Sequence, residues 1–212
     1  MGRRGGQGTY WDVFQGGADV NVSRLCYVVV CGAGPATYAG TMVRLAQTHG
    51  WNAQVIATPA GLDFIDADAL GWQTGLPVRS HYRDNASRQA APLPRADAII
   101  VAPATYNTIN KWATGVSDTY ALGVLAEAPA FGIPIVVLPF VNAALASRRP
   151  FRRSLEILRG EGIRVLLGPG EFEPHQPGTG GSLAAVFPWH VALAEIERGV
   201  GEGTGTSGTG GP

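Results

Sequence analysis

The chain alternates apolar runs with longer segments that have the spacing of amphipathic helices, and this alternation is the strongest constraint on its fold. Each apolar run is continuous, as expected of strands that are covered on both faces of a sheet. Strand and helix together repeat at a period of roughly 30 residues, which favours parallel strands joined by crossover helices. The sequence therefore predicts a single-domain, three-layer α/β/α fold with a doubly wound parallel sheet. The predicted strands are LCYVVVC (25–31), AQVIAT (53–58), ADAIIVA (96–102), PIVVLP (134–139) and IRVLLG (163–168).

Helical spacing and composition set the predicted boundaries. The apolar positions predict helices over 35–50, 106–114, 119–130, 150–161 and 189–198. Residues 1–22 are rich in glycine and irregular, and we expect them to form an N-terminal arm. Residues 23–198 then form the domain. Residues 199–212 are a low-complexity, glycine-rich stretch that is predicted to be a disordered tail.

The charge balance excludes several classes of protein. The 212 residues contain 16 Lys and Arg and 16 Asp and Glu, so no net field attracts nucleic acid. No apolar run reaches the roughly 18 residues of a membrane helix, and the N-terminus lacks the apolar stretch of a signal peptide. We expect a cytoplasmic protein that binds neither nucleic acid nor membrane.

The cysteines and the acidic residues do not predict a metal site. Cys26 and Cys31 lie on the first strand, about 16 Å apart and on opposite faces, which is too far for a disulfide. We expect both to be small buried side chains. Asp63, Asp66 and Asp68 have no His or Cys beside them, and a helix-capping, solvated loop is the expected structure there.

The first strand ends in the glycine-containing loop CGAGPAT, before a predicted helix. Such glycines either let backbone amides approach a phosphate or simply serve a tight turn. Thr37 replaces the third glycine of the dinucleotide fingerprint, and the second strand ends in TPAG (58–61) where an acidic residue would bind ribose. This pattern favours a mononucleotide over NAD. The predicted phosphate-side residues are Gly32, Ala33, Gly34, Pro35 and Thr58.

Polar side chains crowd the segment APATYNTINK (102–111), which follows the third apolar run. Asn107 and Thr108 fall at the predicted helix start and could cap it, yet capping accounts for only one polar residue. Closely spaced amides and hydroxyls can surround the polar edge of a flat heterocycle such as an isoalloxazine, whose faces would rest on residues 102–104. The predicted ring-binding residues are Pro103, Ala104, Thr105, Asn107 and Thr108.

These segments resemble those of a known family. PATYNTINK followed by GVSDT is similar to the P-A-S-A-N-T signature of the flavin-containing cysteine decarboxylases, which include phosphopantothenoylcysteine decarboxylase and the epidermin-type peptidyl-cysteine decarboxylases. VIATPAGLDFI (55–65) and LPFVNAAL (138–145) resemble two further segments of that family. The resemblance covers roughly residues 25–168, and it implies a flavodoxin-like or Rossmann-like fold.

The resemblance also implies a cofactor, partners and site residues. The cofactor would be FMN, with Thr58, Gly61 and Phe64 near it. Asn107 and Asn142 would hold the carboxylate of a peptide or small-molecule substrate. In this family the FMN lies between subunits, which implies a homo-oligomer built from trimers.

The sequence departs from the family at the position of the catalytic histidine. An ungapped alignment places Gln89 there, and a glutamine amide cannot take up a proton. Proton removal would then depend on His81, on His175 or on the acidity of the substrate thiol. His175 belongs to a Gly- and Pro-rich stretch where the family has a flap over the substrate, and such a stretch suits either a lid or a linker. The flap cysteine of the pantothenate enzyme has no counterpart here, and Val141 and Leu145 replace two methionines.

The leading hypothesis is an FMN-binding enzyme of this superfamily that oxidatively decarboxylates a cysteinyl substrate. A flavin enzyme of other redox chemistry is an alternative, as is a non-catalytic flavin-binding regulatory or assembly subunit. Lys111 is the only lysine, and it could face a phosphate or carboxylate. The basic run RRPFRR (148–153) fits a solvated face or a subunit contact, or recognition of an acidic peptide or phosphate.

Overall fold

A computed structural model describes residues 24–82 and 93–203, with side chains described as far as residue 200. The predicted arm at residues 1–22, Gln89 and the last nine residues of the predicted tail lie outside the described residues.

The described chain forms one five-stranded parallel sheet in the order β2-β1-β3-β4-β5. β1 is central and pairs with both β2 and β3, so that Val28 lies beside Val55 on one side and Ile100 on the other. This arrangement confirms the predicted parallel α/β fold. The strands are β1 (Arg24–Val30), β2 (Trp51–Ala57), β3 (Ala98–Ala104), β4 (Ile135–Pro139) and β5 (Arg164–Val165).

The last strand is shorter than the sequence predicts. Only Arg164 and Val165 belong to β5, although the sequence predicts a strand over 163–168. The amide of Leu166 still donates to the Val137 carbonyl at 2.8 Å, but the amide of Leu167 turns back to Val165 at 3.2 Å. The chain therefore leaves the sheet at its edge. At the opposite edge, Arg79 forms a single parallel bridge with Ile56 of β2.

The helices cover both faces of the sheet. The predicted helix at 35–50 begins as a 3-10 turn, Gly34–Tyr38, and four short helices (α2, α3, α6 and α8) were not predicted. Within the described residues, no helix is both long and apolar enough to cross a bilayer. The α-helices are α1 (Ala39–Thr48), α2 (Pro59–Leu62), α3 (Ala67–Thr74), α4 (Tyr106–Ala113), α5 (Tyr120–Glu127), α6 (Ala143–Ala146), α7 (Arg149–Gly160), α8 (Gly180–Leu183) and α9 (Trp189–Gly203).

The final helix extends beyond its predicted end. α9 continues to Gly203, so residues 199–203, which the sequence assigns to a disordered tail, are helical. The extension has a packing reason, because Val200 contacts the core on one face of the sheet.

Two separate hydrophobic clusters flank the sheet, as a three-layer fold requires. Successive residues of β1 alternate between them: Tyr27 and Val29 belong to the cluster under α4, α5 and α7, while Val28 and Val30 belong to the cluster under α1 and α9. Cys26 and Cys31 are free, fully buried and in opposite clusters, which confirms their predicted positions.

Candidate functional site

A cavity of about 320 Å³ lies at the carboxyl edge of the sheet, where the loops after β1, β2 and β3 converge. Its volume is at the lower end of the range for ligand pockets, roughly 300–1,000 Å³. Among the described residues that line it, none carries a carboxylate. Because three of these residues cap helices, we call it the threonine-capped cavity. It is lined by Gly32, Thr58, Pro59, Ala60, Thr105, Asn107, Thr108, Lys111, Thr119 and Leu122.

Three threonines begin the three helices that surround this cavity. The Thr58 hydroxyl accepts from the Gly61 amide at 3.1 Å, and the Thr105 and Thr119 hydroxyls each accept from the third amide of their helix at 3.2 Å. All three have extended backbone angles, as N-caps do. The predicted helix start at residue 106 is confirmed, whereas a cap at Asn107 or Thr108 is wrong, because the N-cap is Thr105.

The electrostatic character of the cavity follows from these helix starts. The first amides of an α-helix have no partner within the helix, and they carry partial positive charge. Both α4 and α5 present such ends to the cavity, and Lys111 adds an ammonium group. Asp118 binds that ammonium at 2.6 Å, so the lysine charge is partly neutralised. Together, the helix ends and the absence of lining carboxylates favour an anionic ligand.

Close packing of loops explains two of the glycines. A Cβ on Gly32 would lie 2.7 Å from the Ala60 carbonyl oxygen, and one on Gly61 would lie 2.5 Å from the Val30 carbonyl oxygen. A side chain fits at neither position. A Cβ on Gly34 would make only an ordinary contact, 3.4 Å from the Ala184 Cβ. Tight packing of the loops after β1 and β2 thus accounts for Gly32 and Gly61, but not for Gly34.

The close packing leaves backbone amides available in the first loop. Within the described residues, the amides of Gly32 and Gly34 donate to no acceptor, while the neighbouring Ala33 amide donates to Cys31 at 2.8 Å. The Thr58 hydroxyl accepts one hydrogen bond and keeps its own proton to donate. These groups can bind a phosphate in addition to shaping the turn.

The polar side chains after β3 have separate roles. Tyr106 stacks on Phe151 with ring centroids 5.2 Å apart, and Thr108 is buried with its hydroxyl 2.9 Å from that of Thr105. Asn110 Oδ1 accepts from the Ser154 hydroxyl at 2.8 Å. Asn107 is exposed, lines the cavity and has no side-chain partner among the described residues. It is the polar group of this segment that remains for a ligand.

Cys31 lies directly beneath this segment. Complete burial raises the pKa of the Cys31 thiol, although hydrogen bonds to the Thr108 side chain and the Thr105 backbone oppose the shift. The thiol is therefore protonated at neutral pH and unsuited to nucleophilic chemistry.

A second group of predicted site residues lies after β4. The Asn142 side chain caps α6 by accepting from the Leu145 amide at 2.9 Å, which leaves its NH₂ group without a partner among the described residues. The segment 171–180, which we call the covering segment, pairs with this loop through a parallel bridge between Asn142 and His175. The Ala143 amide donates to the His175 carbonyl at 2.7 Å, and the His175 amide donates to Val141 at 3.3 Å.

Several predicted site residues do not line the threonine-capped cavity within the described chain. His81 is exposed, and its Nδ1 lies 2.8 Å from the Ser80 hydroxyl. Phe64 is 39% exposed and follows α2. Pro103 and Ala104 are buried in β3, where their carbonyls accept from Cys31 and Phe140. Their contact with a ligand stays a prediction, as it does for Ala33, Gly34 and Pro35.

Sequence reasoning missed Pro59, Ala60, Thr119 and Leu122 of the cavity. Thr119 had a detectable signal, because a threonine just before an apolar helical pattern is a typical N-cap. Pro59, Ala60 and Leu122 are apolar and had no such signal.

Comparison with known proteins identifies the family. The family model described as Flavoprotein matches residues 19–190, so the chain belongs to the Flavoprotein family. The coenzyme A biosynthesis bifunctional protein CoaBC of Escherichia coli strain K12 is 30% identical over 132 residues, which are 60% of this chain and 32% of that protein. CoaBC of Thermococcus kodakarensis is 26% identical over 121 residues, or 56% of this chain and 30% of that protein. The chain thus spans about a third of the length of these curated relatives.

Solved structures share the fold. The FMN-dependent cysteine decarboxylase TvaF from thioviridamide biosynthesis superposes with a TM-score of 0.63 at 21% identity, covering 84% of this chain and 98% of TvaF. The FMN-binding protein AtHal3 gives a TM-score of 0.62 at 18% identity, covering 83% and 98%. EpiD, an epidermin biosynthesis protein of Staphylococcus aureus, gives 0.54 at 22% identity, covering 67% and 81%. These similarities confirm the flavodoxin-like α/β fold.

Proposed function

We propose that the chain binds FMN in the threonine-capped cavity and oxidatively decarboxylates a substrate that carries a cysteinyl carboxylate. The observation that carries the proposal is the cavity lining, which combines hydroxyl groups, an exposed amide and two helix N-termini without a carboxylate. Membership of the Flavoprotein family supports a flavin. TvaF, which has the same fold, is an FMN-dependent cysteine decarboxylase, and this supports FMN and the reaction.

The residues present fit a flavin mononucleotide. The amides of Gly32 and Gly34, which have no acceptor within residues 24–82 and 93–203, and the Thr58 hydroxyl are suitable donors for a phosphomonoester. The helix starts at Thr105 and Thr119 favour its negative charge. Asn107 offers both a donor and an acceptor to the polar edge of an isoalloxazine ring. When bound, oxidised FMN supplies a two-electron acceptor that takes up hydride.

The chain's own groups would orient the substrate. The exposed amide of Asn107 and the free NH₂ of Asn142 can each donate to a carboxylate. In the substrate, the thiol loses its proton and the adjacent carbon loses hydride, which together give a thioaldehyde. The bond to the carboxylate then breaks, and its electron pair passes into the carbon–carbon double bond of an enethiolate as CO₂ leaves.

We further propose that the protein is a trimer-based homo-oligomer in the cytoplasm, with FMN between subunits. Phe64 and Leu145, which are 39% and 37% exposed, follow β2 and β4 at the carboxyl edge and supply apolar surface to a neighbouring subunit. Light scattering of the purified protein tests this, because a trimer has three times the protomer mass of 22.1 kDa.

One observation favours a second candidate, a flavin-binding protein without decarboxylase activity. Among the described residues, the cavity lining has no His, Asp or Glu, and its lysine is paired with Asp118. The lining of the threonine-capped cavity therefore supplies groups that can bind a flavin but no free proton acceptor.

Two measurements separate these possibilities. The apoprotein is first titrated with FMN, and binding is followed by the visible absorption band of the flavin. The loaded protein is then mixed without oxygen with a peptide ending in cysteine. We expect bleaching of the flavin and a peptide mass lower by CO₂ and two hydrogens, whereas a peptide ending in serine leaves both unchanged. Binding without this mass change would favour the second candidate, and failure to bind would contradict the proposal.

A further inference from the structure

The histidine in the covering segment has an unusual environment. The ring of His175 stacks on Phe140, which follows β4 directly, with centroids 4.6 Å apart and planes 28° apart. The backbone of His175 pairs with residues on both sides of Asn142, through Val141 and Ala143. Aromatic stacking and two backbone hydrogen bonds thus hold the imidazole beside the loop that carries Asn142.

The polar atoms of this ring are not used by the fold. Nδ1 is buried and has no hydrogen-bond partner in the part of the chain that the structure describes, which is uncommon for a buried side-chain nitrogen. Nε2 has no recorded hydrogen bond among the described residues and lies close to Gly180, where an added Cβ would be 2.9 Å away. Glycine at position 180 therefore leaves the space that the imidazole needs.

The same environment sets the protonation state of the ring. Burial lowers the pKa of His175 from its ordinary value of 6.5, and no charged group opposes the effect. The imidazole is neutral at neutral pH, with one nitrogen free to accept a proton. A neutral histidine with no structural hydrogen bond is suited to general-base chemistry.

Other candidates for this role are less well placed. His81 is exposed and bound to Ser80, beyond the β2 edge of the sheet. His49 caps the end of α1 just before β2 begins, at the amino edge, and contacts Glu197 at 3.1 Å. His190 is exposed in the first turn of α9. Among the histidines of the described chain, His175 is the one that pairs with a predicted carboxylate-binding loop.

We propose that His175 is the proton acceptor of the reaction, taking the thiol proton of a cysteinyl substrate whose carboxylate is bound by Asn142. This inference rests on the proposed function. The S–H bond breaks, and its proton passes to an imidazole nitrogen. The adjacent carbon delivers hydride to oxidised flavin, which is the two-electron oxidant, and a carbon–sulfur double bond forms. In this way the covering segment supplies the base that is absent from the threonine-capped cavity.

The first test compares the loaded wild-type protein with His175→Asn and with the matched control His190→Asn, since His190 is exposed on α9. In an anaerobic single turnover, His175→Asn is expected to slow flavin bleaching by about 10²–10⁴-fold, while FMN binding is unchanged. Added imidazole should restore part of the rate, and the pH profile should lose its histidine-dependent limb. His190→Asn should behave as the wild type. An unaltered rate in His175→Asn would overturn the inference and leave the proposed function intact.

A second variant protects the test against a folding defect. Gly180→Ala keeps the imidazole but places a methyl group 2.9 Å from Nε2, so that the ring must shift. It should also slow bleaching while the unfolding midpoint changes little. A wild-type rate in Gly180→Ala would contradict the placement of the base.

A readout without turnover uses protein that carries ¹³C in its histidine rings. The His175 signal, identified by its loss in His175→Asn, should shift when a peptide ending in cysteine is added to flavin-free protein. A peptide ending in alanine, which has a carboxylate but no thiol, should shift it less. Absence of any response would overturn the role of His175, even if the wild-type protein shows no turnover. Failure of FMN to bleach while this signal responds would instead contradict the proposed reaction.

Discussion

Two parts of the carboxyl edge are built in different ways. The threonine-capped cavity is assembled from helix starts and tight turns that directly follow β1, β2 and β3, and its caps make hydrogen bonds within three residues. The loop after β4 is completed by a segment distant in sequence, because His175 pairs with the residues around Asn142. The first part has groups that suit an anionic ligand. The second has the NH₂ group of Asn142, which can donate to a carboxylate, and the imidazole of His175, whose Nδ1 has no partner among the described residues.

The difference indicates a division of labour. Except for Asn107, the side chains that would hold the cofactor are fixed by local hydrogen bonds and are part of the folded framework. Of the groups that would act on the substrate, the Asn142 side chain is also fixed by a local cap, whereas His175 belongs to a segment outside the strands of the sheet. Substitutions in the two parts should therefore affect binding and stability in different proportions.

The largest expected difference is between the effects of replacing Asn107 and Asn142 with alanine. Asn107→Ala should weaken binding of a cysteine-terminated peptide by roughly 10- to 100-fold, the loss expected for a hydrogen bond to a charged group. Its unfolding free energy should stay within about 0.5 kcal/mol of the wild type, because the side chain is exposed and has no partner among the described residues. Calorimetric titration and urea unfolding measure the two effects.

Asn142→Ala provides the contrast. It removes both the NH₂ group that would donate to the substrate carboxylate and the cap of α6. Peptide affinity and the free energy of unfolding should therefore fall together, the latter by about 0.5–2 kcal/mol. Equal stability of the two variants would contradict the assignment of a capping role to Asn142 but not to Asn107.

The next effect concerns the glycine after β2. Gly61→Ala should lower the unfolding free energy by about 1–3 kcal/mol, because the methyl group would lie 2.5 Å from the Val30 carbonyl oxygen. Gly34→Ala is the matched control, since its methyl group meets Ala184 at 3.4 Å. Urea unfolding of both variants measures the difference, and a tolerated Gly61→Ala would show that the loops can separate.

A smaller effect is expected at the cap of α4. Thr105→Ala should cost about 0.5–2 kcal/mol of stability, since the hydroxyl accepts from the Thr108 amide at 3.2 Å. Thr105→Ser retains the hydroxyl and should recover most of the loss. FMN affinity should follow the same order, and an alanine variant with wild-type stability and affinity would contradict the role of the cap.

The smallest effect concerns pH and the covering segment. Because burial lowers the pKa of His175 below 6.5, the folded state binds this proton less readily than the unfolded state. The associated stability is fully present above about pH 6.5 and is lost as the pH falls through the lower pKa of the folded protein. His175→Gln should reduce this dependence in urea unfolding followed between about pH 5 and 8. If the unfolding free energy of His175→Gln depended on pH as steeply as that of the wild type, the His175 ring would be exposed to water and not buried.

The sequence predicted the fold because its strands are continuous apolar runs, and such runs indicate a sheet that is covered by helices on both faces. It also predicted that Gly32, Thr58, Thr105, Asn107 and Thr108 share a site, since the carboxyl ends of parallel strands meet at one edge. It could not choose between capping and ligand binding, because a threonine hydroxyl serves either purpose until its partner is known. Thr105 proved to be the cap, and Asn107 the unpaired group.

The position of His175 could not be predicted from its neighbours in sequence. Glycine and proline around it fit a linker as well as a lid, and neither residue type specifies a pairing partner. The stacking on Phe140 and the bridge to Asn142 are contacts between distant segments. Such contacts depend on the assembled sheet rather than on local propensity.

Parallel calorimetric titrations of the apoprotein with FMN and riboflavin test the central claim most directly. If helix starts and backbone amides bind the phosphate, FMN should bind at least about 10- to 100-fold more tightly than riboflavin, as one or more charge-assisted hydrogen bonds provide. Equal affinities, or no binding of either compound, would contradict the assignment of the threonine-capped cavity to a flavin phosphate.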